Sequence, residues 1–224
     1  MKTLILLVFM LIANVFAGAL QETLCGDKSL LYCINHYDRQ CDAKNYAACS
    51  IVGGLHFEQK QYSKAKKYFE MICDKANSKD TFQMELIDGS MGQKAPAIIG
   101  MQIFCNELGR FYDDGLGVRQ SYEKALHYYK KACDLGNGES CAFAGGAYNF
   151  GKGVQKDLKT AIKFFTKSCE LEFGGGCNLL GASYYYGVGI KQNLLNAKEL
   201  FGKACDLGEQ DGCDKYKELK EKGY

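Results

Sequence analysis

The chain has 224 residues, with 28 lysines and arginines against 26 aspartates and glutamates, so it is nearly neutral and carries no electrostatic footprint for nucleic acid or an anionic membrane. It holds twelve cysteines and a single proline. An even cysteine count of that size is out of place in a reducing compartment and points to a disulfide framework in an exported protein.

The first segment, MKTLILLVFMLIANVFAGA over residues 1–19, has one basic residue, an unbroken apolar run and small residues at its end. It is too short and wrongly flanked for a transmembrane span and reads as a secretory signal peptide, cleaved after Ala17 or Ala19. The residues before Cys25, Glu22-Thr23-Leu24, are not the small ones that a lipoprotein processing site requires. Export is therefore expected to the periplasm or beyond it, with no further membrane attachment.

Residues 20–48 contain Cys25, Cys33 and Cys41, with Cys49 following at the same spacing of eight. Only seven residues separate Cys33 from Cys41, too few for a helix pair, so this region is expected to form an abbreviated N-terminal cap. Residues 49–73, SIVGGLHFEQKQYSKAKKYFEMIC after Cys49, read as a short helix pair ending at Cys73. An insertion of about 24 residues then occupies the junction 77–104 before Cys105. Loops of that length are uncommon in compact domains and are often functional. This one mixes Met84, Met91 and Met101 with Leu86, Ile87, Ile98 and Ile99, more apolar than a solvated loop requires, and is expected to pack over a neighbouring helix or groove.

From Cys105 the same pattern is written three times with a period of 36 residues, over 105–140, 141–176 and 177–208. Gly109, Gly145 and Gly181 coincide in phase, as do Tyr112, Tyr148 and Tyr184, and Ala125, Ala161 and Ala197. The loop glycines coincide too, at Gly115, Gly151 and Gly187 and at Gly117, Gly153 and Gly189. A period of this length means supersecondary units that bury a core only against their neighbours. Each unit has an apolar first segment, a G-x-G loop and a second segment such as DLKTAIKFFTKSC with apolar residues at helical spacing. Ser121, Asp157 and Asn193 open the second segments as N-caps. Residues 209–224, rich in Lys215, Lys217, Glu218, Lys220, Glu221 and Lys222, give a terminal cap helix its polar outer face.

The cysteines fix the connections. Cys133 and Cys141, Cys169 and Cys177, and Cys205 and Cys213 are eight residues apart. In one straight helix that is about 12 Å, beyond the roughly 4.4 to 6.8 Å between Cα atoms that a disulfide tolerates, so the helix must break between them. The intervening DLGNGES, ELEFGGG and DLGEQDG supply the breaking residues. Continuing the register gives Cys73 to Cys105 across the insertion, Cys41 to Cys49 and Cys25 to Cys33; the spacing alone also permits Cys33 to Cys41. A zinc site is the rival use of cysteine, but His36, His56 and His127 are scattered and no tight cysteine pair occurs, so no metal or other cofactor is expected.

The strings L-G-x-x-Y, G-x-G-V, K-A-x-x-Y-Y and K-A-C-D-L-G resemble Sel1-like repeats, which are related to tetratricopeptide repeats. The added Cys-x7-Cys resembles the Helicobacter cysteine-rich proteins, secreted bacterial members of that class. The expected fold is thus all-α, a right-handed α-solenoid of disulfide-linked helix pairs over residues 20–224, acting as a monomer.

Two kinds of function compete. Some cysteine-rich relatives carry a penicillin-binding or β-lactamase assignment, which the resemblance extends to this chain as β-lactam binding or weak hydrolysis. Serine β-lactamases need S-x-x-K with S-D-N and K-T-G boxes. Here S-x-x-K occurs at Ser63 to Lys66 and Ser121 to Lys124, S-D-N is absent, and Lys159-Thr160-Ala161 is the nearest approach to K-T-G. No catalytic residue is assigned. The favoured expectation is a scaffold that holds a protein or peptide in a concave groove lined by successive first helices. Candidate groove positions lie one, five and eight residues after each first-helix cysteine: Asn106, Arg110 and Asp113, then Ala142, Gly146 and Asn149, then Asn178, Ala182 and Tyr185.

Overall fold

The computed structural model describes residues 29–42, 45–75 and 98–224. The segment read as a signal peptide, Cys25 and most of the insertion, 76–97, lie outside the described residues. The regular structure among the described residues is helical throughout. The helices are α1 Leu30–Asp42, α2 Tyr46–Glu58, α3 Tyr62–Lys75, α4 Ile98–Asp114, α5 Tyr122–Asp134, α6 Gly138–Phe150, α7 Leu158–Glu170, α8 Gly174–Tyr186, α9 Leu194–Asp206 and α10 Gln210–Glu221. They form two compact units, one holding α1 to α3 and the other α4 to α10.

In the first unit α1 carries both Cys33 and Cys41, so the rise of one helix holds their Cα atoms about 12 Å apart and no bridge can join them. Cys41 instead pairs with Cys49 of α2, with Cα atoms 4.7 Å apart. Gly53 of α2 lets the ring of Phe69 in α3 approach, since a Cβ there would lie 2.8 Å from it. Tyr68 of α3 donates to Asp38 of α1 at 2.8 Å, and buried His56 stacks on the Tyr68 ring. Burial lowers the His56 pKa below its ordinary value.

The second unit repeats one construction. Ser121, Asp157 and Asn193 cap α5, α7 and α9, their side-chain oxygens accepting from first-turn amides such as Lys124 N, Thr160 N and Asn196 N. Each first helix packs on its own second helix through one glycine. A Cβ at Gly145 would meet Phe165 at 2.5 Å, one at Gly181 would meet Phe201 at 2.9 Å, and one at Gly109 would enter the Tyr129 ring. The in-phase tyrosines reach across the pair: Tyr112 stacks on Tyr128 and Tyr148 on Phe164, with ring centroids 5.7 and 5.6 Å apart. Tyr148 packs against the core of its own helix pair and against that of the preceding one, so the cores run on from unit to unit.

Between units the chain turns sharply and a disulfide closes the turn. Cys133 pairs with Cys141, Cys169 with Cys177 and Cys205 with Cys213, at Cα separations of 4.7, 4.4 and 4.5 Å. Cys33, Cys73 and Cys105 are disulfide-bonded as well. Helix α4 begins seven residues before Cys105, whereas α6 and α8 begin three before theirs. Where Asn137 and Phe173 cap α6 and α8 four residues before their cysteines, the equivalent Met101 lies inside α4, and Met101-Gln102-Ile103-Phe104 continues the helix back toward the insertion-bearing junction.

One junction departs from the others. Gly136 and Gly208 take left-handed φ values of 93° and 87° after their second helices, but the same position in the middle junction is Glu172 at φ 58°. A side chain in that region costs roughly 1 to 2 kcal/mol, part of which glycine returns through its looser unfolded state. Glu172→Gly is therefore expected to raise stability by up to about 1 kcal/mol, read as an increased urea midpoint at unchanged slope; a decrease would show that Glu172 makes an interaction worth more than its strain.

Candidate functional site

Helices α6 and α8 and the facing side of α5, with Asp113 from the end of α4 and Phe165 from α7, line a groove of about 520 Å³. Its floor is built from small residues, Ala142, Gly146, Ala147 and Ala182, and a Cβ added at Gly146 would meet nothing within 4 Å. Its walls are large and apolar: Tyr122, Phe143, Phe150, Leu179, Tyr186 and Val188 all line it. Each of these is also exposed, Phe150 at 73 % and Tyr186 at 65 % of its surface. Polar groups are few in the lining; Asp113, Asn149, Lys152 and Ser183 supply them.

The groove positions read from the sequence separate clearly. Asp113, Ala142, Gly146, Asn149 and Ala182 line the groove. Asn106 does not: it is buried, accepting from the Ser140 hydroxyl at 2.6 Å and donating to Glu139 at 3.2 Å, and so ties α4 to α6. Arg110 is exposed and pairs with Glu107 at 3.3 Å. Asn178 is half-buried and outside the lining. Tyr185 turns toward α10, donating to Glu218 at 3.1 Å and lying under the Lys215 ammonium.

The residues that dominate the walls, Phe143, Phe150, Leu179 and Tyr186, stand two and nine positions after each cysteine and are absent from that sequence reading. The signal for them was in the repeat itself. In the first copy these positions are Glu107 and Asp114, so aromatic and aliphatic residues stand where the first copy has carboxylates.

The electrostatics around the groove are uneven. Tyr129 donates to Asp113 at 3.3 Å, and burial first, then the Asp113 charge, push its phenol pKa far up. Glu107 is also raised, by burial above all. At the α10 side Glu218 accepts from Lys215 and Lys222, both at 2.7 Å, and from Tyr185; these bonds, led by that from Lys215, hold its carboxyl down to about 2.

The two S-x-x-K serines are accounted for otherwise. Ser121 Oγ accepts from the Lys124 amide as the α5 cap, and the Lys124 ammonium lies over the Tyr112 ring at 5.1 Å. Ser63 is exposed in the first turn of α3, with Lys66 paired to Glu70.

The model of the Sel1 repeat matches residues 46–77, 103–137, 138–173 and 175–209, more than half of the chain. The chain belongs to the Sel1-repeat family. Among solved Sel1-repeat structures it is similar to c5321, a protective antigen of uropathogenic Escherichia coli strains that displays an SLR fold, at 22 % identity and a TM-score of 0.66, covering 85 % of this chain and 36 % of that one. It is also similar to a Sel1 repeat protein from Oxalobacter formigenes, at 22 % identity and a TM-score of 0.57, covering 73 % and 57 %. Helicobacter pylori cysteine rich protein B (hcpB) matches at 35 % identity over 52 % of this chain and 90 % of its own, with a TM-score of 0.44. The chain thus spans about a third of the first of these structures and somewhat over half of the second. Among curated proteins none matches.

The Sel1 boundaries follow the helix pairs: 138–173 begins at the first residue of α6 and closes at the turn after α7, and 175–209 takes in α8 and α9. Sel1 repeats are typically scaffolds for protein contacts, and the groove is lined mainly by α5, α6 and α8, which belong to three successive repeats.

Proposed function

We propose that this Sel1-repeat protein is an extracytoplasmic scaffold that binds an extended protein segment in the groove lined mainly by α5, α6 and α8. The observation that carries the reading is that six large apolar side chains, Tyr122, Phe143, Phe150, Leu179, Tyr186 and Val188, are left exposed and all line the same groove. Scattered apolar residues on a surface need no explanation, but a contiguous exposed set in a concavity marks an interaction site. Helical repeats of this kind leave a groove wide enough for one extended chain, with Asn149 and Asp113 among its few polar groups. The extracytoplasmic setting is supported by disulfides closing short turns between successive helices, since such bonds form and persist in oxidising compartments and are rare in reducing ones. In this reading Cys25 pairs with Cys33 and Cys73 with Cys105.

Selection of a displayed random-peptide library on the oxidised protein tests the reading. Peptides recovered on the native groove are expected to lose at least about tenfold in affinity to Phe150→Ala or Tyr186→Ala, as aromatic anchors of an interface do. Because both side chains are largely exposed, the melting temperature should stay unchanged. Selected peptides that bind the two variants as well as the native protein would place the interaction elsewhere.

A further inference from the structure

The groove is apolar along most of its length, and its α4 end carries Asp113 in the lining with the exposed Asp114 beside it. Helix α4 closes on Asp113 and Asp114, and its last turn has no basic residue. A helix C-terminus already carries the negative pole of the peptide dipoles, so two carboxylates there oppose the local electrostatics. The same positions in the next two first helices, Asn149-Phe150 and Tyr185-Tyr186, are uncharged.

The nearby cations are otherwise engaged. Arg110 pairs with Glu107 at 3.3 Å, and the Lys152 ammonium sits over the Tyr122 ring at 5.3 Å, with no ion pair to Asp113 among the described residues. The Asp113 carboxylate receives the long 3.3 Å bond from Tyr129, and Asp114 is exposed. At the α10 end the charges satisfy one another, since Glu218 holds both Lys215 and Lys222.

Resting on the proposed groove, we infer that its occupant is an extended segment with bulky apolar side chains over Phe150, Tyr186 and Leu179 and a lysine or arginine at the end lying against Asp113 and Asp114. Adjacent helices stand about 8 to 10 Å apart, so the span from α4 to α8 is about 20 Å, or roughly six residues of extended chain. The basic side chain thus belongs at one terminus of the bound stretch and the anchors in its remainder. An acidic residue at that terminus would face two carboxylates and the helix pole together, so the same end selects against anionic segments as well as for cationic ones.

Three fluorescein-labelled octapeptides with blocked termini form the test. They share two phenylalanines and a leucine and differ only at one end, which carries two lysines, two glutamines or two glutamates. Anisotropy titration is expected to give the lysine peptide roughly fivefold tighter binding than the glutamine peptide. The glutamate peptide should bind more weakly than either. The lysine advantage should shrink between about 0.05 and 0.5 M salt, where screening shortens to a few ångströms. In the double variant Asp113→Asn, Asp114→Asn the three peptides should bind alike, at the affinity the native protein shows for the glutamine peptide. Phe150→Ala should weaken all three together. Equal binding of the three peptides by the native protein, with the Phe150→Ala loss intact, overturns the charged end and leaves the groove standing. Binding that ignores Phe150→Ala, or no binding by any peptide, overturns both.

Discussion

Full reduction of the oxidised protein is expected to bring it to the edge of unfolding at room temperature. Each described bridge closes a loop of about nine residues, which the chain-entropy model values at roughly 2 to 3 kcal/mol. The four described bridges together approach the whole net stability of a typical domain, about 5 to 15 kcal/mol. They also sit at equivalent places, joining α1 to α2, α5 to α6, α7 to α8 and α9 to α10. In a linear repeat array stability is nearly a sum of unit terms and nearest-neighbour interfaces, so loosening every junction at once removes the coupling that lets marginal units fold. Thermal melts followed by circular dichroism, with and without a phosphine reductant, should differ by tens of degrees. The double substitution Cys169→Ala, Cys177→Ala isolates one junction and should cost about 2 to 3 kcal/mol. A reduced protein that melts within a few degrees of the oxidised one would show that the glycine and aromatic contacts alone hold the stack.

Much of this construction was legible in the sequence because the repeat compares each residue with two others in the same environment. Ser121, Asp157 and Asn193 share nothing but a side-chain oxygen near the backbone, and that shared property is what a cap needs; the structure places all three there. For two cysteines bonded to each other the eight-residue spacing likewise allowed only a broken helix, whereas Cys33 and Cys41, at the same spacing but not joined, share α1. The groove was less legible, since a helical period gives a direction for the core but not which of the remaining faces is concave. Asn106 shows the difficulty. It looks like a solvated residue and varies against Ala142 and Asn178, yet Ser140 and Glu139 of the next unit fold over it, a pairing across more than thirty residues that the period does not reveal. Conversely Phe150 and Tyr186 look like core residues and stand in water. Polarity predicts burial only on average, and the exceptions at these positions are the ones that mark an interaction surface.

The two glycines of each loop look equivalent in the sequence, but the structure gives them different work, and Gly153→Ala is expected to be far more damaging than Gly151→Ala. Both adopt left-handed backbone, with φ 70° and 74°, so an added side chain meets the same intrinsic cost of roughly 1 to 2 kcal/mol at each. Around Gly151 there is room: the nearest atoms to a new Cβ stand 3.5 Å away, ordinary van der Waals contact. At Gly153 the Cβ would be driven into the backbone of Tyr122 and Glu123, at the start of the preceding second helix. Gly189 repeats the arrangement, with a Cβ 2.8 Å from the Leu158 carbonyl oxygen. Backbone cannot rotate aside as a side chain can, so relief requires the loop to lift off the neighbouring unit, an overpacking penalty of about 1 to 3 kcal/mol beyond the φ cost. Gly153→Ala should therefore lower the melting temperature by about 10 °C and Gly151→Ala by about 2 to 8 °C, at roughly 2 to 4 °C per kcal/mol for a chain of this length. Because Tyr122 is also a wall of the groove, Gly153→Ala should weaken the binding of groove-selected peptides even well below its melting temperature, while Gly151→Ala leaves that binding unchanged. Equal melting shifts for the two variants would mean that the conformation of the loop, rather than its close seat on the preceding helix, is what both glycines provide.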